Sequence, residues 1–437
     1  MARNMKDSGI EWIGDIPEGW EISKVSYFYE VQLGKMLQPQ KKSETDTEEK
    51  YLCAANVGKN SLSLDTLKTM WFSQTEKHQF DLKEGDLLVV EGGDVASCAI
   101  IEAPVRNLFF QNALHRVRPL HNESVAFLRY WLMTAKSYGY IDLICNKATI
   151  AHFSKEKFIA LPIPVIPQDI QSKIVSFLDL ECKQIDDLLS KSSSSIEEYK
   201  KLKQAIITQA VTKGVRGKRE MKDSGVEWIG EIPAEWSITK IKSGVTKIGS
   251  GKTPSGGAET YTDSGVIFLR SQNVYDCTLN LESPTYISPE VDATMKSTRV
   301  LPDDVLLNIT GGSIGRCSIV PKTLGLANVN QHVCIIRTNS LIFLPKYMQY
   351  FWVSALGHLA IDLYQTGGNR EGMSADAIRN TPIPYAPLNE QKEIADYLDA
   401  KCAKIDKLIA KKEQLIKELE SYKKSLIYEV VTGKREV

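Results

Sequence analysis

The chain has 437 residues, 43% of them apolar and 25% charged, and its 54 basic and 54 acidic side chains leave a formal net charge of zero. That length accommodates two or three domains with their own cores, and the absence of an eighteen-residue apolar run or an apolar leader speaks against a membrane span and against secretion. Neutrality argues against a strong solitary DNA binder, whose affinity would come from neutralising phosphates, but accommodates a reader whose partners supply those contacts.

In chain order, the first distinctive stretch is MKDSGIEWIGDIPEGWEISK at 5–24, which returns as MKDSGVEWIGEIPAEWSITK at 221–240 with 14 of 20 positions identical. After it, short apolar runs such as DLLVV and CAII, separated by Gly, Asn and Pro, predict strands of a mixed α/β segment over about 25–160. One helix is expected there, in ESVAFLRYWLMTAKS. Proline is dense in LPIPVIP from Leu161 and then vanishes, which marks the start of a long helix with Asp169 as a candidate cap and Gly214 as its stop. Leu178, Ile185, Ser192, Tyr199 and Ile206 recur every seven residues, with Leu188 and Leu202 on d-like positions, the pattern of a coiled coil.

The second half repeats this order. After the 221–240 opening come VIFLR, VLLNIT, CSIV and VCIIR, which predict a second mixed segment over 241–380, with one helix in PKYMQYFWVSALGHLAIDLY. TPIPYAP from Thr381 then opens a second long helix, with Asn389 as candidate cap and Gly433 as stop. Its heptad column is Leu398, Ile405, Lys412, Leu419 and Leu426, with Leu408, Leu415 and Tyr422 beside it. Between 161–212 and 381–432, 19 of 52 positions match without a gap, so the chain is two copies of one unit. About 43 residues per helix at roughly 1.5 Å each predicts a rod of about 65 Å. Antiparallel pairing would bring the polar midpoints Ser192 and Lys412 together. Between these anchors the copies diverge, although VVEGGDVASCAII (Val89–Ile101) still lies over NITGGSIGRCSIV (Asn308–Val320), and Gln111 over Gln331.

Catalytic signatures are missing. GSGKT at Gly249–Thr253 lacks the first glycine of a phosphate-binding loop, where Thr246 stands, and Pro254 occupies the place where the helix should begin. No Pro-Pro occurs, so the tetrad of an adenine methyltransferase is absent, and the acidic cluster at Pro302–Asp304 lacks a nuclease's Glu-x-Lys. The eight cysteines are scattered singly and fit reduced core thiols better than disulfides or zinc. His115 and His332, next to the paired glutamines, are candidate base readers or plain loop residues.

The duplicated variable segments, each followed by (L/T)PIPxxPxxxQ…I…LD…C…ID and a long helix, resemble the specificity subunits of type I restriction–modification systems. The DSGIEWIGDIPEGW and DSGVEWIGEIPAEW openings, TGGSIG, and TGGNREGMSADAIRNTPIP carry the same resemblance, whereas VEGGDVAS and NKATIAHFSKEKF in the first half depart from it. The resemblance implies an α/β (α+β) protein with two target recognition domains, 1–165 and 217–385, and two long antiparallel coiled-coil helices, 166–216 and 386–437, in a pseudo-twofold internal repeat. It further implies a non-catalytic, cytoplasmic subunit that reads the two halves of a bipartite asymmetric sequence in double-stranded DNA. Its helices would set the spacer and dock two modification (methyltransferase) subunits, with restriction subunits joining. This chain would bind no cofactor of its own, and S-adenosylmethionine and ATP with Mg would sit on those partners. A coiled-coil scaffold without DNA is the alternative reading.

Loop residues with donors or acceptors suited to base edges or phosphates are the candidate DNA contacts. In the second domain these are Lys252, Thr253, Arg270, Gln272, Asn273, Ser313, Arg316, Asn330, Gln331 and Arg370. In the first they are Lys35, Asn56, Lys59, Asp94, Arg106, Gln111, Asn112 and Lys147.

Overall fold

The two proline-rich stretches form short strands, Pro162–Val165 and Pro382–Tyr385, each paired antiparallel with one strand only, Glu21–Lys24 and Ser237–Lys240. A two-stranded ribbon leaves room for residues that cannot donate to a ladder. From each ribbon a long helix departs, Gln168–Lys213 with 46 residues and Leu388–Val431 with 44. Asp169 and Asn389 fall inside the first turns, because the chain turns helical directly after Pro167 and Pro387. Gly214 and Gly433 end the helices at φ of 71° and 73°, a left-handed conformation that costs glycine nothing.

This computed structural model describes residues 3–58, 61–145, 151–365 and 372–437. The chain divides into two compact units, Met1–Ser192 with Gln414–Val437, and Ser193–Glu413. Each unit therefore holds one half of each long helix. Both have mixed helix and strand content, built on one plan.

In the first unit a four-stranded antiparallel sheet runs in the order Tyr29–Leu33, Leu114–Pro119, Leu87–Val90, Cys98–Ile100. A second sheet joins Lys68–Phe72, Thr47–Leu52 and Leu108–Phe110, the last pair parallel. In the second unit the four-stranded order is Val245–Ser250, Val333–Thr338, Val305–Asn308, Cys317–Ile319. Its partner sheet pairs Val266–Leu269 parallel with Ala327–Val329. Alternate residues of the central strands serve two cores. In the first unit Leu87 and Val89 face a core with Phe127, Trp131 and Phe158, while Leu88 and Val90 face one with Phe72 and Phe110.

The helix expected in ESVAFLRYWLMTAKS is Val125–Ser137, capped by Ser124, whose Oγ accepts from the Phe127 N–H at 3.2 Å. Its counterpart differs from the expected single helix. Pro345–Val353 stops at Ser354, whose hydroxyl caps a new helix, Ala355–Tyr364, by accepting from the Gly357 N–H at 3.2 Å. Serine in this position competes for the backbone and breaks the run.

Each unit contains an antiparallel helix pair. In the first, Lys423 meets Asp186 at 2.6 Å and Arg435 lies over the Phe177 ring. In the second, Lys203 meets Asp406 at 2.7 Å and Arg216 meets Glu393 at 2.7 Å. Leu178, Ile185, Leu398, Ile405 and Leu426 are buried as the heptad column predicts, and Ser192 is buried with them. Tyr199, Ile206, Lys412 and Leu419 are half-buried; Ser192 belongs to the first unit and Lys412 to the second. The other column differs from expectation. Leu188, Leu202, Leu408, Leu415 and Tyr422 are exposed, and the seam is completed instead by residues on its opposite flank, Cys182, Leu189 and Ile196 in the first helix and Cys402, Ile409 and Ile416 in the second.

Candidate nucleic-acid interface

In both units the two sheets hand over the chain at one short turn. In the first, Leu108–Phe110 leaves the smaller sheet and Leu114 enters the larger one, so Gln111, Asn112 and Ala113 span the gap. Gly34 passes so close that a Cβ there would lie 2.2 Å from the Gln111 carbonyl oxygen. In the second unit a Cβ on Gly251 would lie 2.0 Å from the Val329 oxygen. Only glycine fits this approach. The next residues, Lys35 and Lys252, donate their backbone N–H to Phe110 and Val329. The tips Met36–Leu37 and Thr253–Pro254 are thereby held beside the turns.

Two further segments converge there. The Glu91 N–H bonds the Ala113 oxygen, and the Ile309 N–H bonds the His332 oxygen, which brings in the glycine loops after Val90 and Asn308. Gly92 bridges His152, and Thr310 bridges Gly372. The His152 Nδ1 lies 3.0 Å from the Glu91 carboxylate.

These bonds fix the correspondence between copies and correct the sequence alignment at two places. The Gln111 N–H bonds the Leu52 oxygen as the Asn330 N–H bonds the Leu269 oxygen. Gln111 therefore matches Asn330, Asn112 matches Gln331, and Ala113 matches His332. Matching glutamine to glutamine set Gln111 over Gln331, one residue out of register. Val89 over Asn308 was likewise one residue out, since Val90 pairs with Leu114 as Asn308 pairs with Val333.

Lys252, Thr253, Gln272 and Gln331 in the second unit and Arg106 in the first are exposed. Arg270 and Arg316 are half-buried, with their guanidinium groups over the rings of Tyr261 and Tyr275 at 5.6 Å and 4.6 Å. Gln111 and Asn112 are half-buried at their turn. The Ser313 hydroxyl accepts from Asn308 at 3.1 Å, and Asn330 is buried with its side-chain oxygen accepting from the His332 N–H. Asp94 accepts from the Ser97 hydroxyl and the Lys136 ammonium, each at 2.5 Å.

Three candidates are spent inside the fold. Lys35 is only 5% exposed and donates to Gln38 at 2.8 Å and to Glu76. Burial pushes the Glu76 carboxyl up, but the Lys35 ammonium and the Ser73 N–H together hold it below its ordinary value. Asn56 and Asn273 are buried and staple equivalent turns. Their oxygens accept from the backbone at Cys53 and Arg270, and their amides donate to the Ser63 and Asn280 carbonyls. Lys59, Lys147 and Arg370 lie outside the described residues. His115 is fully buried, its Nε2 bonded to the Phe153 oxygen at 2.7 Å, and so faces no ligand.

Sequence reasoning passed over the tip of the first unit's loop, where Met36 is 75% and Leu37 54% exposed. Their apolar character reads as core until Gly34 is seen to lift the loop. After Lys252 no phosphate-cradling helix begins, and the next helical turn is Gly257–Thr260. Among the described residues no cluster of His, Cys, Asp and Glu could hold a metal, and no helix is long and apolar enough to cross a membrane. The eight cysteines are free thiols, six of them buried.

The protein-family model described as "Type I restriction modification DNA specificity domain" matches residues 17–198 and 233–421. A putative type I restriction enzyme specificity subunit, MjaX, of Methanocaldococcus jannaschii is 25% identical over 434 residues, covering 97% of this chain and 95% of its own. Among solved structures, a chain from work on complex assembly and conformational transition of the type I R-M system superposes with a TM-score of 0.74 at 13% identity, covering 95% of this chain and 98% of its own. The HsdS subunit of Thermoanaerobacter tengcongensis gives a TM-score of 0.54 at 14% identity, over 96% and 98% of the two chains.

Proposed function

Because the chain belongs to the type I restriction modification DNA specificity family, we propose that each unit reads one half of a bipartite, asymmetric DNA target through its converging loops. The chain is a specificity subunit, a non-catalytic part of a complex that acts on DNA. The observation that carries the half-site reading is one frame with two different tips. Met36, Asn112 and Ala113 stand in the first unit where Thr253, Gln331 and His332 stand in the second. A dimer of identical readers matches a palindrome, whereas a covalent tandem of diverged readers matches two unlike half-sites.

In this reading two modification subunits dock on the long helices, where Leu188, Leu202, Leu408, Leu415 and Tyr422 offer exposed apolar side chains. They bring S-adenosylmethionine and most of the phosphate contacts, which accounts for the zero net charge of this chain. Restriction subunits add ATP-driven work, and the chain itself carries no cofactor. The test is reconstitution with the cognate modification subunit and mapping of methylated adenine on random-sequence DNA. Methylation confined to one bipartite sequence is expected. Methylation by this chain alone, or methylation without sequence preference by the complex, overturns the reading.

A further inference from the structure

Gln331 is an exposed side chain held at both ends of its amide. Its Oε1 accepts from the Thr253 hydroxyl, and its Nε2 donates to the His332 Nε2 at 2.9 Å. An amide nitrogen only donates, so His332 accepts at Nε2 and carries its proton on Nδ1. That Nδ1 lies within hydrogen-bond distance of the Thr310 hydroxyl. The chain Thr253–Gln331–His332–Thr310 thus ties together three of the converging segments: the tip after Gly251, the turn between the sheets and the glycine loop.

Freezing an exposed glutamine costs up to about 2 kcal/mol of rotamer entropy, and no burial offsets that here. An immobilised surface amide is what preorganised recognition requires. After the two clamps, Oε1 keeps one lone pair and Nε2 keeps one N–H. An adjacent acceptor and donor match the N6–H and N7 of adenine in the major groove, whereas guanine presents two acceptors.

We infer that Gln331 specifies an adenine at one fixed position of the second unit's half-site, with Thr253 and His332 as positioning residues that hold its amide in register. The inference rests on the DNA-reading function proposed above. In the first unit the equivalent amide, Asn112, has Met36 and Ala113 as neighbours in place of Thr253 and His332, so neither clamp is available there. The two units thus differ at this position in how firmly the amide is held as well as in its reach.

The test uses the full chain assembled with its modification subunit and maps methylated sequences genome-wide for the wild type and for variants. Gln331→Ala is expected to relax one A·T position of the second unit's half-site to any base, a loss of roughly tenfold or more in discrimination there, with the other positions unchanged. Gln331→Glu is expected to move that position toward C, whose N4 amine donates to a carboxylate. His332→Ala and Thr253→Val are expected to relax the same position partially, and Thr253→Ser to restore it. A fold defect would lower methylation at all sites without changing one base, so the outcomes separate. If Gln331→Ala abolishes methylation, Gln331→Glu decides, and an unchanged motif or none at all overturns the inference. A wild-type complex with no bipartite motif overturns the underlying reading instead.

Discussion

Asp304 and Asp86 do the same job in the two copies. Each is buried, accepts two bonds from one arginine (Arg337 at 2.7 and 2.8 Å, Arg118 at 2.5 and 2.8 Å) and caps a turn by accepting from the Leu301 or Lys83 N–H. Removing one partner of such a pair strands the other. Asp304→Ala is expected to destabilise the second unit by about 3 kcal/mol, near the low end for buried pairs because Arg337 is partly hydrated, and calorimetry of the purified chain measures it. His115 sets a pH dependence. Burial holds its pKa below the ordinary histidine value, although the Phe153 carbonyl and Glu91 pull the other way. The fold thus favours neutral imidazole. Its contribution to stability is complete above the unfolded pKa of about 6.5 and declines as pH falls, levelling off only below the lowered folded value. Unfolding of His115→Gln is expected to lose that part of the slope just below pH 6.5, and a slope identical to the wild type contradicts this account.

At the scale of elements, the heptads were legible because proline vanishes and one column, Leu178, Ile185, Leu398, Ile405 and Leu426, keeps its period. The second column was not. Leu188 and Leu408 are no less apolar than their chain neighbours Leu189 and Ile409, so composition did not say which flank faces the seam. Leu178→Ala is accordingly expected to cost about 2–5 kcal/mol through its cavity, and Leu188→Ala no more than about 0.5 kcal/mol. Leu415→Glu is expected to leave the melting transition in place while weakening assembly with the modification subunit in size-exclusion chromatography; unimpaired assembly of Leu415→Glu and Leu408→Glu together contradicts docking on this face. Strands were legible as apolar runs, yet their partners were not, because the link from Leu108–Phe110 into Leu114–Pro119 changes sheets, a long-range choice no local period records. The same handover explains the site. Exposed Lys252, Thr253 and Gln331 were readable from loop chemistry, whereas the burial of Lys35, Asn56 and Asn273 depended on which backbone groups the turns leave to be satisfied.

For the whole molecule, the duplication separates two tasks that a single domain would have to share. Similarity concentrates in the openings and helices, which repeat because identical partners are proposed to bind them, while the loop tips differ, as the proposed reading of two unlike half-sites requires. The proposed reading makes the helices a ruler. Since the pairing is antiparallel within each unit, lengthening one helix alone breaks the register of Lys423 with Asp186 or of Lys203 with Asp406. Inserting one heptad in both helices keeps the buried column in phase and adds about 10 Å at 1.5 Å per residue. At 3.4 Å per base pair this corresponds to about three base pairs. The methylated motif of the doubly extended chain is therefore expected to keep both half-sites and gain a spacer about three base pairs longer. An unchanged spacer, with both half-sites still read, means that the partners rather than these helices measure the distance.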